Sequence, residues 1–119
     1  MREIALDTQA ATAVAILEDG RVTGRAHNDS VRHHAESITP LVRDALAAAG
    51  LPPVLAEAGI DRILVGTGPA PFTGLRSGLV SARVLARVAG VPAYGVCSLD
   101  VIARQGLDLL ARDMRVYAI

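Results

Sequence analysis

"EIALDTQAATAVAILEDGRVTGRAH", residues 3–27, holds three short apolar runs separated by turn signals, and its reading decides the fold. Residues 3–8 form a strand that stops at the acidic and hydroxyl pair Asp7 and Thr8. Residues 12–17, "TAVAIL", read as a second strand, "EDG" at 18–20 as a hairpin turn of the Asp-Gly type, and "RVTGRAH" as the returning third strand. A β-meander therefore opens the chain.

From Ser30 the period changes. Ile38, Leu41, Val42, Ala45, Leu46 and Ala49 fall on one helical face, and Gly50 followed by Pro52 and Pro53 ends the helix. Pro40 lies within this pattern, where a proline removes one hydrogen bond and clashes with the preceding turn. The reading favours a helix that begins near Ser30 and kinks at Pro40 over one that begins at Pro40 with Thr39 as its cap, because the longer helix also buries Val31 and Ile38. Residues 61–66, "DRILVG", have the continuous apolar centre of a strand covered on both faces. A helix over about 73–89 follows, stopped by Gly90 and Pro92, then a strand at 93–97, then a third helix capped by Ser98 and carrying Leu99, Ile102, Ala103 and Leu107. "MRVYAI", residues 114–119, begins another strand. The order is β-β-β-α-β-α-β-α, which predicts an α/β domain of the ribonuclease-H-like and actin-like kind: a mixed sheet with helices on its faces.

The loop "GTGPAPFTGLRSG", residues 66–78, invites a phosphate-binding reading that its spacing denies. A P-loop needs a Lys where Leu75 stands, and the chain has no Lys at all. A dinucleotide fingerprint needs a third Gly where Pro71 stands, and a nucleophile elbow needs a Ser with a base nearby. What remains is a stiff turn, built by Gly68, Pro69, Phe72, Thr73 and Gly74, with Thr73 as N-cap of the next helix. In that helix Gly78 and Ala82 continue a small-residue seam from Gly74, flanked by Leu75 and Leu79, while Arg76, Arg83 and Arg87 share another stripe. Such a seam admits close approach, either of the domain's own sheet or of a partner helix.

Composition narrows the function. With 119 residues the chain suits one domain with its own core, and 51% hydrophobic content excludes disorder. Twelve basic residues offset twelve acidic ones, which argues against strong autonomous binding to nucleic acid or to an anionic membrane. The single Cys97 sits in an apolar run and reads as a small buried hydrophobe of a reducing compartment. Nothing resembles a signal peptide or a membrane span, so the expected location is the cytoplasm.

"GPAPFTGLRSGLVSARVLA" (68–86) resembles the G-P-G-S-F-T-G-L-R signature of the TsaB (YeaZ) family, the dimerisation subunit of the bacterial machinery that makes threonylcarbamoyladenosine in tRNA. The similarity extends to "ALDTQAATAVAIL", "RHHAESITPLV" and "YGVCSLDVIA", and so over essentially the whole chain. Ala70 and Pro71 depart from the signature's Gly and Ser. The resemblance implies one N-terminal actin-like domain, residues 1–119, cut from a longer two-domain protein. It implies a non-catalytic scaffold that supports a TsaD-like catalytic subunit, with a TsaE-like ATPase and a second copy of the chain as further partners. No cofactor or metal is expected in this chain alone, ATP or ADP at a complex interface being the remaining nucleotide expectation. The catalytic relative holds its metal with two His one helical turn apart, whereas here His34 is followed by Ile38 and His33 by Ser37. The expected partner interface is Ile38, Leu41, Val42 and Ala45 on the first helix with Leu75, Gly78, Leu79 and Ala82 on the second. The alternative function is a nucleotide-binding transferase or hydrolase using Asp7, Thr8 and the Gly68–Gly74 loop, since the superfamily places a phosphate-binding acidic turn at the end of the first strand.

Overall fold

A computed structural model describes residues 1–8, 11–28, 34–68 and 72–97, with 34–37, 72–75 and 77 described by their backbone. The meander forms as β1 (Arg2–Asp7), β2 (Thr12–Glu18) and β3 (Arg21–Asn28). The β2–β3 turn places Asp19 at φ 51° and Gly20 at φ 82°, a left-handed pair that Asp-Gly tolerates and most residues do not. There follow α1 (His34–Ala48), a 3₁₀ turn (Leu55–Glu57), β4 (Arg62–Gly66), α2 (Phe72–Ala89) and β5 (Ala93–Val96).

The five strands make one sheet in the order β3-β2-β1-β4-β5. β1 runs antiparallel to β2, with Ile4 opposite Ile16 and Leu6 opposite Val14. It runs parallel to β4, which is parallel to β5. Each parallel pair needs a long crossover, and α1 and α2 supply them.

Alternation along the strands sends Ile4, Leu6, Val14, Ile16, Ile63 and Val65 to one face, where all are buried. Both helices cover that face. Gly24 on β3 marks the tightest seat: a Cβ there would lie 2.7 Å from the Ala49 nitrogen and press on the Ala45 carbonyl oxygen, so the α1 backbone rests on bare strand. Gly50 and Gly90 end the helices in the same way. At α1, Gly50 has φ 73°, its N–H donates to the Ala47 carbonyl and that of Leu51 to the Leu46 carbonyl, a Schellman closure.

Three sequence expectations change. Within the described residues α1 begins at His34 and carries Pro40 inside it, so the start at Pro40 with a Thr39 cap is excluded, while the start near Ser30 lies outside those residues. α2 begins at Phe72, which puts Thr73 in its first turn and not at the cap. Among the described residues β4 is covered on one face: Ile63 and Val65 are buried beneath the helices, whereas Arg62, Leu64 and Gly66 are half-buried and look onto the opposite face. The third helix from Ser98, the strand at 114–119 and the loop positions Pro69, Ala70 and Pro71 lie outside the described residues.

Candidate functional site

The expected partner interface divides once it is placed in the fold. Ile38, Leu41, Val42 and Ala45 are 2, 8, 5 and 0% exposed, and Ala82 is 1% exposed. These side chains form the chain's own core against the sheet. Gly78 corrects the reading of the seam in the same direction. A Cβ there would stand 2.5 Å from the Thr8 hydroxyl oxygen and 3.2 Å from its methyl carbon, so the seam is the device that lets α2 sit on the end of β1. Leu79 is half-buried beside it, and Leu75 lies in the helix among the residues described by backbone alone.

The face that α2 turns to solvent was missed by sequence reasoning. Val80, Val84 and Val88 are 55, 55 and 59% exposed. They recur every four residues, so they make a continuous ridge that drifts slowly round the helix. Their spacing was visible, but a valine row is ordinarily assigned to the core, and here glycine and alanine hold the inner positions. Arg76, Arg83 and Arg87 are exposed along one flank of the ridge, as the arginine stripe in the sequence implied. At its β5 side the ridge continues into a groove of about 440 Å³ between α2 and the sheet edge, lined by Val65, Leu79, Val80, Arg83 and Tyr94. Tyr94 is half-exposed, and the Arg62 guanidinium lies 5.8 Å from its ring centre. Arg62 also donates from Nε to Glu3, a nearly buried carboxylate on β1. That pair anchors the β1–β4–β5 side of the sheet.

A second groove, of about 470 Å³, lies on the sheet face opposite α1 and α2 and is lined by Ala5, Asp7, Ala15, His27, Leu64 and Val96. Asp7 faces it, at the carboxyl end of β1. Its neighbour Thr8 is 2% exposed beneath Gly78, so the two residues expected to act together on phosphate are turned apart. Gly68 is buried at φ 91°, and its carbonyl accepts a bond from the Cys97 thiol at 3.6 Å. Cys97 is half-buried and so held in place by the loop. Phe72, Thr73 and Gly74 begin α2, and Pro69 lies outside the described residues. Among the described residues no three His, Cys, Asp or Glu side chains gather as a metal group, and no helix is long and apolar enough to cross a membrane.

Similarity to known proteins agrees with this architecture. Residues 24–113 match the family described as TsaD: tRNA N6-adenosine threonylcarbamoyltransferase. The chain is 37% identical over 106 residues to the tRNA threonylcarbamoyladenosine biosynthesis protein TsaB of Escherichia coli, covering 87% of this chain and 43% of that protein. It is 42% identical over 117 residues to an uncharacterized protein of Mycobacterium tuberculosis, covering 94% of this chain and 54% of the relative. Among solved structures, YeaZ from Pseudomonas aeruginosa superposes with a TM-score of 0.79 at 32% identity, over 92% of this chain and 50% of that one. The chain thus spans about half the length of the curated relatives it matches. The actin-like α/β fold is shared with the YeaZ structure over most of this chain, and the chain belongs to the TsaD-type family, on its TsaB (YeaZ) branch.

Proposed function

We propose that this chain is a supporting, non-catalytic subunit of the machinery that makes threonylcarbamoyladenosine in tRNA, and that it docks a TsaD-like catalytic subunit through the outer face of α2. The observation that carries this reading is the ridge Val80, Val84 and Val88, an aliphatic row left in water by a helix whose inner side is already filled. Its relatives' involvement in this modification supplies the chemistry of the assembly. Covering the exposed halves of three valines is worth about 3 kcal/mol. Association costs more than that, so a stable complex also draws on the flanking arginines and the adjoining groove. A second copy of the chain and a TsaE-like ATPase are further partners under the same reading.

The test is direct. Mixed with the threonylcarbamoyltransferase of the same organism, the chain is expected to elute as a complex in size-exclusion chromatography, and Val84→Asp to remove it. Elution of the two proteins apart at micromolar concentration would sink the proposal.

One observation favours a second reading, in which the chain handles a nucleotide itself: Asp7 lines the groove at the carboxyl ends of β1 and β4. Calorimetric titration with Mg²⁺ and ATP would show heat that Asp7→Asn abolishes; absence of heat removes this reading.

A further inference from the structure

We propose that the groove between α2 and β5 is an anchor pocket, into which the catalytic subunit docked on α2 inserts an apolar side chain with a carboxylate beside it. This rests on the reading of α2 as the docking face and adds the chemistry by which its partner is held. The groove follows from the way α2 is seated. Gly78 brings the helix down onto the end of β1, and Ala82 is buried against the sheet. The edge strand β5 then carries only Ala93 and Gly95 on that face, in register with Ile63 and Val65 of β4. What is left is a trough of about 440 Å³, floored by Val65, Ala93 and Gly95 and walled by Leu79, Val80 and Ala82.

Arg76 and Arg83 supply the charge. Seven residues apart, they lie about 20° apart round the helix and about 10 Å apart along it, on the flank between Val80 and Leu79. Both line the trough, and among the described residues no Asp or Glu joins them there. Glu57 on the 3₁₀ turn and Asp44 on α1 are exposed on elements packed against α2, but neither lines the trough. An apolar floor below two guanidinium groups fits a Leu or Phe followed by Glu or Asp, the apolar part covered by the trough and the carboxylate paired at its mouth. A free small molecule fits less well. A pocket for one encloses most of its surface, whereas Val80, Ala93, Tyr94 and Gly95 are all exposed and leave one side of the trough to water. A side chain of a docked chain is held in place by the rest of its interface, and Val80 belongs to both the ridge and the trough. The trough also supplies what the ridge lacks: three half-covered valines do not offset the cost of association, and interfaces draw most of their surplus from a few anchors seated in pockets.

The experiment measures by calorimetry the affinity of the full chain for the threonylcarbamoyltransferase of the same organism, with Ala93→Phe, its smaller counterpart Ala93→Leu, and Arg83→Glu run beside wild type and Val84→Asp. Either substitution at Ala93 fills the trough from its floor and is expected to weaken the complex roughly tenfold. The urea midpoint of the chain alone should stay where it was or rise, because the new side chain covers apolar surface. Arg83→Glu is expected to weaken the complex about fivefold at low salt, a difference that shrinks as salt is added. Wild-type affinity in both Ala93 variants, or a loss in Arg83→Glu that salt leaves unchanged, would overturn the proposal. So would self-association that both Ala93 variants abolish while the catalytic complex stays intact, since a second copy would then be the occupant. Shifts of the β5 and α2 amide resonances with ATP alone would overturn it in favour of a small anion. The two proposals fail separately: a complex untouched by Val84→Asp sinks the docking reading, whereas one that needs Val84 and ignores both Ala93 variants sinks only this inference.

Discussion

α1 and α2 lie on the same face of the same sheet and differ in what they leave to water. α1 buries Ile38, Leu41, Val42 and Leu46 and presents Thr39, Pro40, Arg43 and Asp44, the usual division for a helix over a core. α2 buries Gly78, Ala82 and Ala86 and presents Val80, Val84 and Val88. Its small residues face inward because closeness to β1 is what the fold needs there, and its branched aliphatics face outward. The contrast teaches that one helix is finished by folding and the other is not.

The largest effect expected from breaking this comparison is at the seat of α1. Gly24→Ala drives a Cβ into the α1 backbone, where no side chain can swing aside, and should cost about 3 kcal/mol, read as a lower urea midpoint with an unchanged slope. The corresponding change under α2 should cost less. Gly78→Ala gains up to about 1 kcal/mol of helix propensity but collides with the buried Thr8, for a net loss of roughly 1 kcal/mol. Adding Thr8→Ala to Gly78→Ala should recover part of that loss in a double-mutant cycle, whereas simple additivity would mean that the contact does not set the spacing of α2.

On the outer side the effect on stability should nearly vanish. Val80→Ser, Val84→Ser and Val88→Ser are each expected to shift unfolding by less than about 0.5 kcal/mol, because these side chains are already in water. A loss of several kcal/mol would show that the ridge belongs to the fold and not to a partner.

The smallest effect lies at the β2–β3 hairpin, away from either helix. There the Met1 ammonium donates to the Asp19 carboxylate, which raises the amine's pKa above its ordinary value, while the ammonium lowers that of Asp19. The raised amine contributes stability that is complete below about pH 8 and is lost as pH rises through its folded value. The lowered carboxyl contributes stability present above about pH 3.9 and lost as pH falls through its folded value. Asp19→Asn keeps a residue tolerant of the left-handed turn and removes the pair. The gap between wild type and variant in urea melts should be small and level at neutral pH and close at both extremes. A gap that widened toward high pH would contradict this assignment.

The meander was legible because its signals are local: alternating apolar runs, and an Asp-Gly pair that adopts positive φ at both positions. Gly50 and Gly90 were legible as helix ends for the same reason. The inner face of α2 was not. Glycines and alanines every four residues serve a sheet or a partner equally well, and the choice is made by how near α2 lies to Thr8, which is a tertiary distance. Val80, Val84 and Val88 were hidden by the habit of placing valines inside. Asp7 and Thr8 were found as neighbours, but the pleat that separates them belongs to the strand's orientation, and only the sheet with its helices shows which one faces the groove.

The outer face of α2 is where a partner is expected to dock. The most direct measurement is the mass, by light scattering after size exclusion, of the species formed when the chain meets the threonylcarbamoyltransferase of the same organism, with wild type and Val84→Asp run side by side. A complex with wild type and separate proteins with the variant, at matched circular dichroism, is the predicted result; a complex of the same mass with both would contradict it.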